Sequence, residues 1–394
     1  ILLFFSIIFL PILPHAWYTW YNYTDDFGNI HDLRLWMKSI INEKKSLSKD
    51  ELRSTAKDEH DEQVIKSYSL ALSLLRQSAS PTQSIVLSPF SLGLALEIIR
   101  DRDIRKEKQQ MGRLQDCCPH PVTEVSMLSS THIYINESIS LKPLYYKYIQ
   151  NKYEAEIEQI NFLKKKEAVK IMNKFLERES RDRIPNLMQD GDIDDKTMAI
   201  LINIISFRGE WRATFNPELS RSETFHGVMG DRKMIFMKQR NDFKMNRNNK
   251  IGTVIHIPYE DRRFKFFIIM PRPFTNFESM KMLLTGEILH EVLTNVEDTY
   301  ANIQIPKFEI ELLLDGKKLF SKLGLKNETD ISQNSDKSIK FSKIAHIASI
   351  KVSELNREES AHTYHYWIYG RHSDPQPLIF DRPFVYGILR NDDI

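Results

Sequence analysis

The chain has 394 residues, of which 55 are basic and 53 acidic, so its formal net charge is only +2 at neutral pH. This balance argues against a nucleic acid partner, because phosphate binding needs a clustered basic surface. Hydrophobic residues make up 41% of the chain and glycines number only 13, which indicates a sizeable core and few flexible linkers. A chain of this length can form one large mixed α/β domain.

The first thirteen residues are almost entirely apolar. The run is too short to span a bilayer and is typical of the apolar part of a signal peptide, with a possible cleavage site after Ala16. We therefore expect an incomplete signal peptide at residues 1–16, followed by an N-terminal extension at residues 17–61. A membrane anchor is the alternative interpretation of the apolar run.

Three Asn-X-Ser/Thr patterns also favour export. They begin at Asn22, Asn136 and Asn327, and each is an acceptor sequence for an N-linked glycan. Together with the apolar leader they predict a secreted, extracellular glycoprotein without a membrane span.

The two cysteines, Cys117 and Cys118, are adjacent. A bridge between neighbouring residues closes a strained ring, so no internal disulfide framework is expected. A metal site built from this pair and His120 would lack a fourth ligand, and we predict no metal and no cofactor. Free thiols or an intermolecular bridge remain the two alternatives.

Helical patterns dominate the first part of the chain and strands the later part. An apolar stripe predicts a helix over residues 64–75, and the apolar run at residues 198–207 predicts a strand buried on both faces. Strands are also predicted at residues 264–270, 344–352 and 384–389. This order indicates an α+β domain with large sheets.

Two further features lie between these strands. The alternation that starts at Ala301 slips phase near Pro306, which predicts a β-bulge. Residues 314–323 are predicted to form a helix that ends at Gly324, because glycine favours the left-handed conformation of a helix C-terminal cap.

Motifs of catalysis are missing from the sequence. It contains no nucleophile elbow, zinc-binding helix, phosphate loop or dinucleotide-binding turn. His346 lies within an apolar strand pattern, where a hydrogen-bonded core histidine is favoured over a catalytic base. We therefore expect a protein that is not an enzyme.

Several segments instead resemble the serpin family, in the order in which that family uses them. Ser-Ile-Val-Leu-Ser-Pro-Phe-Ser-Leu at residues 84–92 and Leu-Ile-Asn-Ile-Ile-Ser-Phe-Arg-Gly-Glu-Trp at residues 201–211 are similar to two of its signatures. Later landmarks match at residues 254–271, 305–310, 320–325 and 381–385.

The resemblance implies a serpin fold at residues 62–394, with three β-sheets, surrounding helices and an exposed reactive-centre loop, but without the family's final C-terminal strand. In inhibitory members a protease cleaves the loop and is held as an acyl-enzyme. The cut loop then inserts as a new strand into the largest sheet, a form of strand addition.

The resemblance also assigns residues to the region where that sheet opens. Ser88, Ser91, Asn203 and His346 match a buried polar cluster beneath the strands that must part, and Trp211 matches the tryptophan where insertion begins. A buried polar group without a partner costs about 1–3 kcal/mol, so these residues could equally serve the stability of the core.

The hinge of the loop departs from the small residues that inhibitory members carry. With the family's register, Arg357 and Glu359 would point inward on insertion, and burying each charge costs several kcal/mol unless the two pair. The hinge therefore disfavours efficient trapping. Its residues are Glu354, Asn356, Arg357, Glu358, Glu359, Ser360 and Ala361.

The reactive bond is predicted near Arg371. Counting forward from Glu354 reaches Gly370, counting back from Pro383 reaches His372, and Arg371 lies between them. An arginine at this position would be bait for a trypsin-like protease, and the alternative is an ordinary exposed basic residue of a loop.

Two functions remain open at this stage. The first is inhibition of an extracellular serine protease, which Arg371 as bait would make trypsin-like, and the second is a non-inhibitory role as protease substrate, carrier or binding protein. We expect a monomer. Heparin binding is not supported, because the basic residues near residue 105 alternate with acids, as on a solvated helical face.

Overall fold

A computed structural model describes residues 3–4, 49–78, 84–100, 125–180, 188–247, 250–273, 275–324, 339–354 and 375–390. Several predicted features lie outside these ranges: Asn22, Asn327, Cys117, Cys118, the hinge from Asn356 onward, and the candidate reactive bond at Gly370, Arg371 and His372.

Seven α-helices lie within the described ranges. They are α1 (Lys49–Ser78), α2 (Pro89–Arg100), α3 (Pro143–Tyr153), α4 (Lys165–Ser180), α5 (Phe277–Leu283), α6 (Gly286–Thr294) and α7 (Gly316–Lys322). Among the described helices, none combines the length and the apolar character that a bilayer crossing needs.

The predicted helix at residues 64–75 is confirmed as part of α1, which begins already at Lys49. The helix predicted at residues 314–323 begins at Gly316, two residues later than predicted. Residues 314 and 315 still belong to a strand, and the carboxylate of Asp315 accepts a hydrogen bond from the Lys318 amide at 3.0 Å, which caps α7. Gly324 has a φ of +83°, as the predicted C-terminal cap requires.

A five-stranded sheet, the central sheet, contains the long apolar strands. Its strands run in the order β10 (Phe308–Asp315), β11 (Phe341–Val352), β4 (Ala199–Gly209), β2 (Val125–Asn136) and β3 (Glu156–Ile160). The strands predicted at residues 198–207 and 344–352 are therefore confirmed, and they are direct neighbours in the sheet.

The second sheet has eight strands because one long strand, β6, serves two groups. Residues 230–236 of β6 pair with β5, residues 236–245 with β9, and residues 244–246 with β7. The two smaller sheets expected from the resemblance are thus joined through β6. The strands are β1 (Leu3–Phe4), β5 (Arg221–Gly227), β6 (Gly230–Asn246), β7 (Gly252–Pro258), β8 (Phe264–Pro271), β9 (Glu297–Pro306), β12 (Pro377–Ile379) and β13 (Val385–Arg390).

The bulge predicted near Pro306 is wrong. β9 ends there in the eight-stranded sheet, and β10 starts at Phe308 in the central sheet. Lys307 lies at the crossing, and its amide donates a hydrogen bond to the Ile235 carbonyl of β6 at 2.7 Å. The slip in alternation therefore marks a change of sheet.

Both faces of β4 are covered, which explains its nearly continuous apolar sequence. Ala199 and Leu201 face a core shared with α1 and α2, whereas Ile200 and Ile202 pack in a cluster with α4. The central sheet is therefore enclosed between helices along this half of β4.

Candidate functional site: the seam between β4 and β11

The strands β4 and β11 pair directly and in parallel. Their register runs from Phe341 opposite Ala199 to Ile350 opposite Phe207, with one irregularity after Phe341. We call this pairing the β4–β11 seam, and the end near Phe207 and Ile350 its loop end, because β11 leads there toward residue 355.

A buried polar cluster crosses the middle of the seam. The side-chain Oδ1 of Asn203 lies 2.8 Å from His346 Nδ1 and also accepts a hydrogen bond from the Ser91 hydroxyl. The Ser88 amide donates to His346 Nε2 at 3.2 Å. All four of the predicted residues are fully buried, so the structure does bring them together.

This hydrogen-bonding pattern requires a neutral His346. Its Nδ1 must carry the proton to donate to Asn203, and its Nε2 must be free to accept from Ser88. Burial lowers the pKa of His346 to about 3, which agrees with that assignment. The expectation of a hydrogen-bonded core histidine is thus confirmed.

Thr131 is a fifth member of the cluster that sequence reasoning missed. Its hydroxyl accepts a hydrogen bond from the Asn203 side-chain amide at 2.8 Å, and it lies on β2, the other neighbour of β4. The cluster therefore links β2, β4, β11 and the start of α2, so parting the seam would expose polar groups that are now paired.

At the loop end of the seam, the side chain of Trp211 contacts the backbone that follows β11. Its indole stacks on Tyr259, with ring centroids 4.6 Å apart and an interplanar angle of 9°. Its Nε1 donates a hydrogen bond to the Ser353 carbonyl at 2.8 Å. Trp211 thus holds the backbone just where β11 ends. That insertion of a cut loop would begin here stays a prediction.

Glu354 is the one hinge residue within the described ranges, and it is tightly held. Its carboxylate accepts hydrogen bonds from the Ser220 hydroxyl at 2.6 Å and lies 2.7 Å from Lys307 Nζ. Burial alone would raise the pKa of Glu354, but the hydrogen bonds from Lys307 and Ser220 outweigh it and leave the pKa below its usual value. Neither partner was predicted from the sequence.

One further side-chain contact crosses the seam outside the cluster: the Ser349 hydroxyl donates to the Ser206 hydroxyl at 2.9 Å near the loop end. At the opposite end Lys343 of β11 forms an ion pair with Asp192, in the segment between α4 and β4. Polar contacts therefore hold the seam in the middle and near the loop end, and the start of β11 is tied to the segment that precedes β4.

Asn136 is the one predicted glycan acceptor that the structure describes. It ends β2 and is half-buried, and its side-chain oxygen accepts a hydrogen bond from the Ser138 amide at 3.0 Å. Glycosylation at this position stays a prediction.

Comparison with known proteins identifies the fold. The family model described as Serpin (serine protease inhibitor) matches residues 66–393. The chain belongs to the serpin family. The α+β serpin fold and the recognition of the family from its motifs are thereby confirmed.

The individual relatives have low sequence identity to this chain, but the similarity extends over most of each chain. The alpha-1-antitrypsin of Meriones unguiculatus is 26% identical over 336 residues, which cover 78% of this chain and 80% of the relative. The leukocyte elastase inhibitor of Sus scrofa is 24% identical over 358 residues, covering 82% and 93%. The human thyroxine-binding globulin solved in complex with thyroxine has the same fold, with a TM-score of 0.71, 18% identity and coverage of 84% and 95%.

Proposed function

We propose that this serpin is secreted and presents its loop as bait to an extracellular, trypsin-like serine protease, which cleaves it at Arg371. The role is that of a serine endopeptidase inhibitor by class, without catalysis of its own. The observation that carries the proposal is the direct pairing of β4 and β11, with the root of the loop fixed at the loop end of the seam by Trp211 and Glu354. A strand that entered there would gain two sets of ladder hydrogen bonds.

Trapping by this chain is inefficient, because the hinge must carry Arg357 and Glu359 inward. The seam's inward-facing neighbours near the loop end are apolar: they are Ile205, Phe207, Ala348 and Ile350, all buried. They offer no partner to a guanidinium or a carboxylate, so the desolvation cost of several kcal/mol per ion is recovered only if the two charges pair with each other. Each ~1.4 kcal/mol added to the insertion barrier slows insertion about tenfold relative to hydrolysis of the acyl-enzyme.

The second candidate is a non-inhibitory serpin that acts as a protease substrate, carrier or binding protein. The same two hinge charges favour it. The structure of thyroxine-binding globulin shows that this fold can hold a small molecule. The likeness of the present chain to it concerns the fold alone.

A single gel experiment separates the two candidates. The purified chain is incubated with a trypsin-like protease and analysed under denaturing conditions, beside the double variant Arg357→Thr/Glu359→Ala. The matched control is Asn356→Ala/Glu358→Ala, which changes the neighbouring residues whose side chains would point outward.

We expect the wild type to be cleaved with little covalent complex and the inward-facing double variant to form much more complex, while the control behaves as the wild type. Arg371→Ala should abolish cleavage at this bond. A rapid and nearly one-to-one covalent complex between the wild type and the protease would refute inefficient trapping. The absence of a covalent complex with either double variant would favour the non-inhibitory role. An Arg371→Ala chain that is still cut at the same place would exclude Arg371 as bait.

Secretion and glycosylation are tested separately. Expression in a eukaryotic cell that exports proteins should deliver the chain to the medium, with a mass that falls on treatment with an N-glycan-removing enzyme. A chain retained in cells without glycans would contradict both.

A further inference from the structure

His132 occupies an unusual buried position on β2, beneath α4. Its side chain is only 7% exposed. The imidazole stacks on Tyr134, with ring centroids 4.4 Å apart, and meets Phe175 of α4 edge-on at 4.6 Å. Neither ring nitrogen makes a hydrogen bond with any described residue.

Two carboxylates on β3 flank this ring. Glu156 Oε2 lies 3.3 Å from Nδ1, and Glu158 Oε2 lies 3.4 Å from Nε2, although neither is aligned for a hydrogen bond. The two glutamate side chains are 62% and 45% exposed, so both can reorient. A neutral imidazole has one N–H and cannot donate to both carboxylates, whereas an imidazolium can.

The charge of the ring therefore decides whether its aromatic contacts or its contacts with the two carboxylates are favourable. The neutral ring fits the aromatic stack. The charged ring is disfavoured there, since an aromatic face attracts a cation only weakly compared with the cost of desolvating it. The other charged groups facing the ring are Arg178 and Glu179 of α4, and Arg178 also lies 4.0 Å from Glu156.

We propose that His132 is an acid-sensitive contact between α4 and the central sheet: protonation weakens the packing of the ring against Tyr134 and Phe175 and so loosens α4. The carboxylates of Glu156 and Glu158 already lie within 3.4 Å of the ring nitrogens, so a small rotation aligns the two N–H groups of the imidazolium with them and disturbs the edge-on contact with Phe175.

Loosening of α4 would affect the seam, because one apolar cluster contains side chains of α4 and of both strands of the seam. Its members include Ala168, Met172, Phe175 and Leu176 of α4, Ile200, Ile202 and Ile204 of β4, and Ala345 and Ile347 of β11. A strand that separated β4 from β11 by about 4.8 Å would have to disrupt this cluster. Acid would therefore ease the opening of the seam by weakening its cover.

The direction of the pH effect follows from the buried state. Burial, with a smaller contribution from Arg178, lowers the pKa of His132 from 6.5 to about 4. The opened state thus binds the proton more readily, and the packing of α4 weakens as the pH falls from about 6.5 toward about 4. The linkage relation gives a rise of up to about thirtyfold in the opening equilibrium between about pH 7.5 and about pH 5.

Hydrogen exchange of the α4 amides tests the proposal. The wild type, His132→Phe and the exposed-histidine control His226→Phe are compared at the two pH values, after correction for the intrinsic exchange rate. Phenylalanine keeps a ring in the stack but cannot take a proton. We expect opening of α4 to increase roughly tenfold or more on acidification in the wild type and the control, and less than about twofold in His132→Phe.

Equal acid responses in the wild type and His132→Phe, or no response in the wild type, would overturn the proposal. If His132→Phe fails to fold, proton NMR of the wild-type imidazoles decides. A histidine in contact with the rings of Tyr134 and Phe175 must titrate over the same pH interval in which α4 loses protection, and loss of protection without such a titration refutes the role of His132. Because exchange is measured in α4 itself, the result is independent of whether the loop traps a protease.

Discussion

Replacing Lys307 with methionine tests how the root of the loop is held. The Glu354 carboxylate is only 7% exposed, and Lys307 Nζ, 2.7 Å away, is its one cationic partner among the described residues. The change would leave this buried carboxylate with the hydroxyl of Ser220 alone. Breaking a buried ion pair costs about 3–5 kcal/mol, but Lys307 is itself 38% exposed, so water replaces part of the interaction. We expect a loss of about 1–3 kcal/mol in the free energy of unfolding.

The chain provides a closely matched control. Lys351 is 37% exposed and pairs with Glu309 at 3.3 Å, but that carboxylate is 52% exposed. Lys351→Met should therefore cost less than about 1 kcal/mol, as exposed pairs do. Equilibrium urea unfolding of both variants gives the comparison. Adding Glu354→Gln to Lys307→Met should recover part of the loss, because a neutral amide is cheaper to bury than an unpaired charge.

The pH dependence gives a second test of the same contact. A carboxyl group with a lowered pKa in the folded state adds stability above its unfolded pKa, and this contribution is lost as the pH falls. The difference between the wild type and Lys307→Met should therefore shrink in acid, once Glu354 takes up a proton. Equal losses in the two lysine variants, or a difference that does not change in acid, would refute the reasoning.

Three further outcomes are expected. His346→Phe should lower the free energy of unfolding by about 1–3 kcal/mol in urea, because the buried Ser88 amide loses its acceptor. Gly286→Ala should lower the thermal midpoint clearly, since a Cβ there would overlap side-chain and backbone atoms of α1, while Gly191→Ala, with open space around it, should leave the midpoint almost unchanged. Stability should fall as the pH drops from about 6.5 toward about 3, because burial lowers the pKa values of His256 and His346 to about 3, and titration of the unfolding midpoint will show whether it does.

Much of the fold follows from local patterns. The nearly continuous apolar run of β4 and the apolar alternation of β11 predict the two strands of the seam, although β11 is itself buried on both faces from Ile344 to Ala348. The resemblance assigned Asn203 and His346 to one buried polar cluster, and the register places them opposite each other.

The partners across long sequence distances could not be predicted. Thr131 bonds to Asn203 from 72 residues away, and Ser220 bonds to Glu354 across 134 residues. Threonine and serine are common in any chain, so nothing local distinguishes these two from other hydroxyls. The crossing at Lys307 was mistaken for a bulge for a related reason: both interrupt an alternating pattern by one residue, and Pro306 fits either.

Lys307 also couples two regions that could otherwise vary separately. Its backbone amide is bonded to Ile235 of β6 where the chain passes between the sheets, and its ammonium group holds Glu354 at the root of the loop. A shift of β6 by one residue would displace that ammonium group together with the backbone to which it belongs. The junction of the two sheets and the anchoring of the loop are therefore subject to one common constraint, and sequence change in the β5–β6 hairpin has to preserve the loop's point of departure.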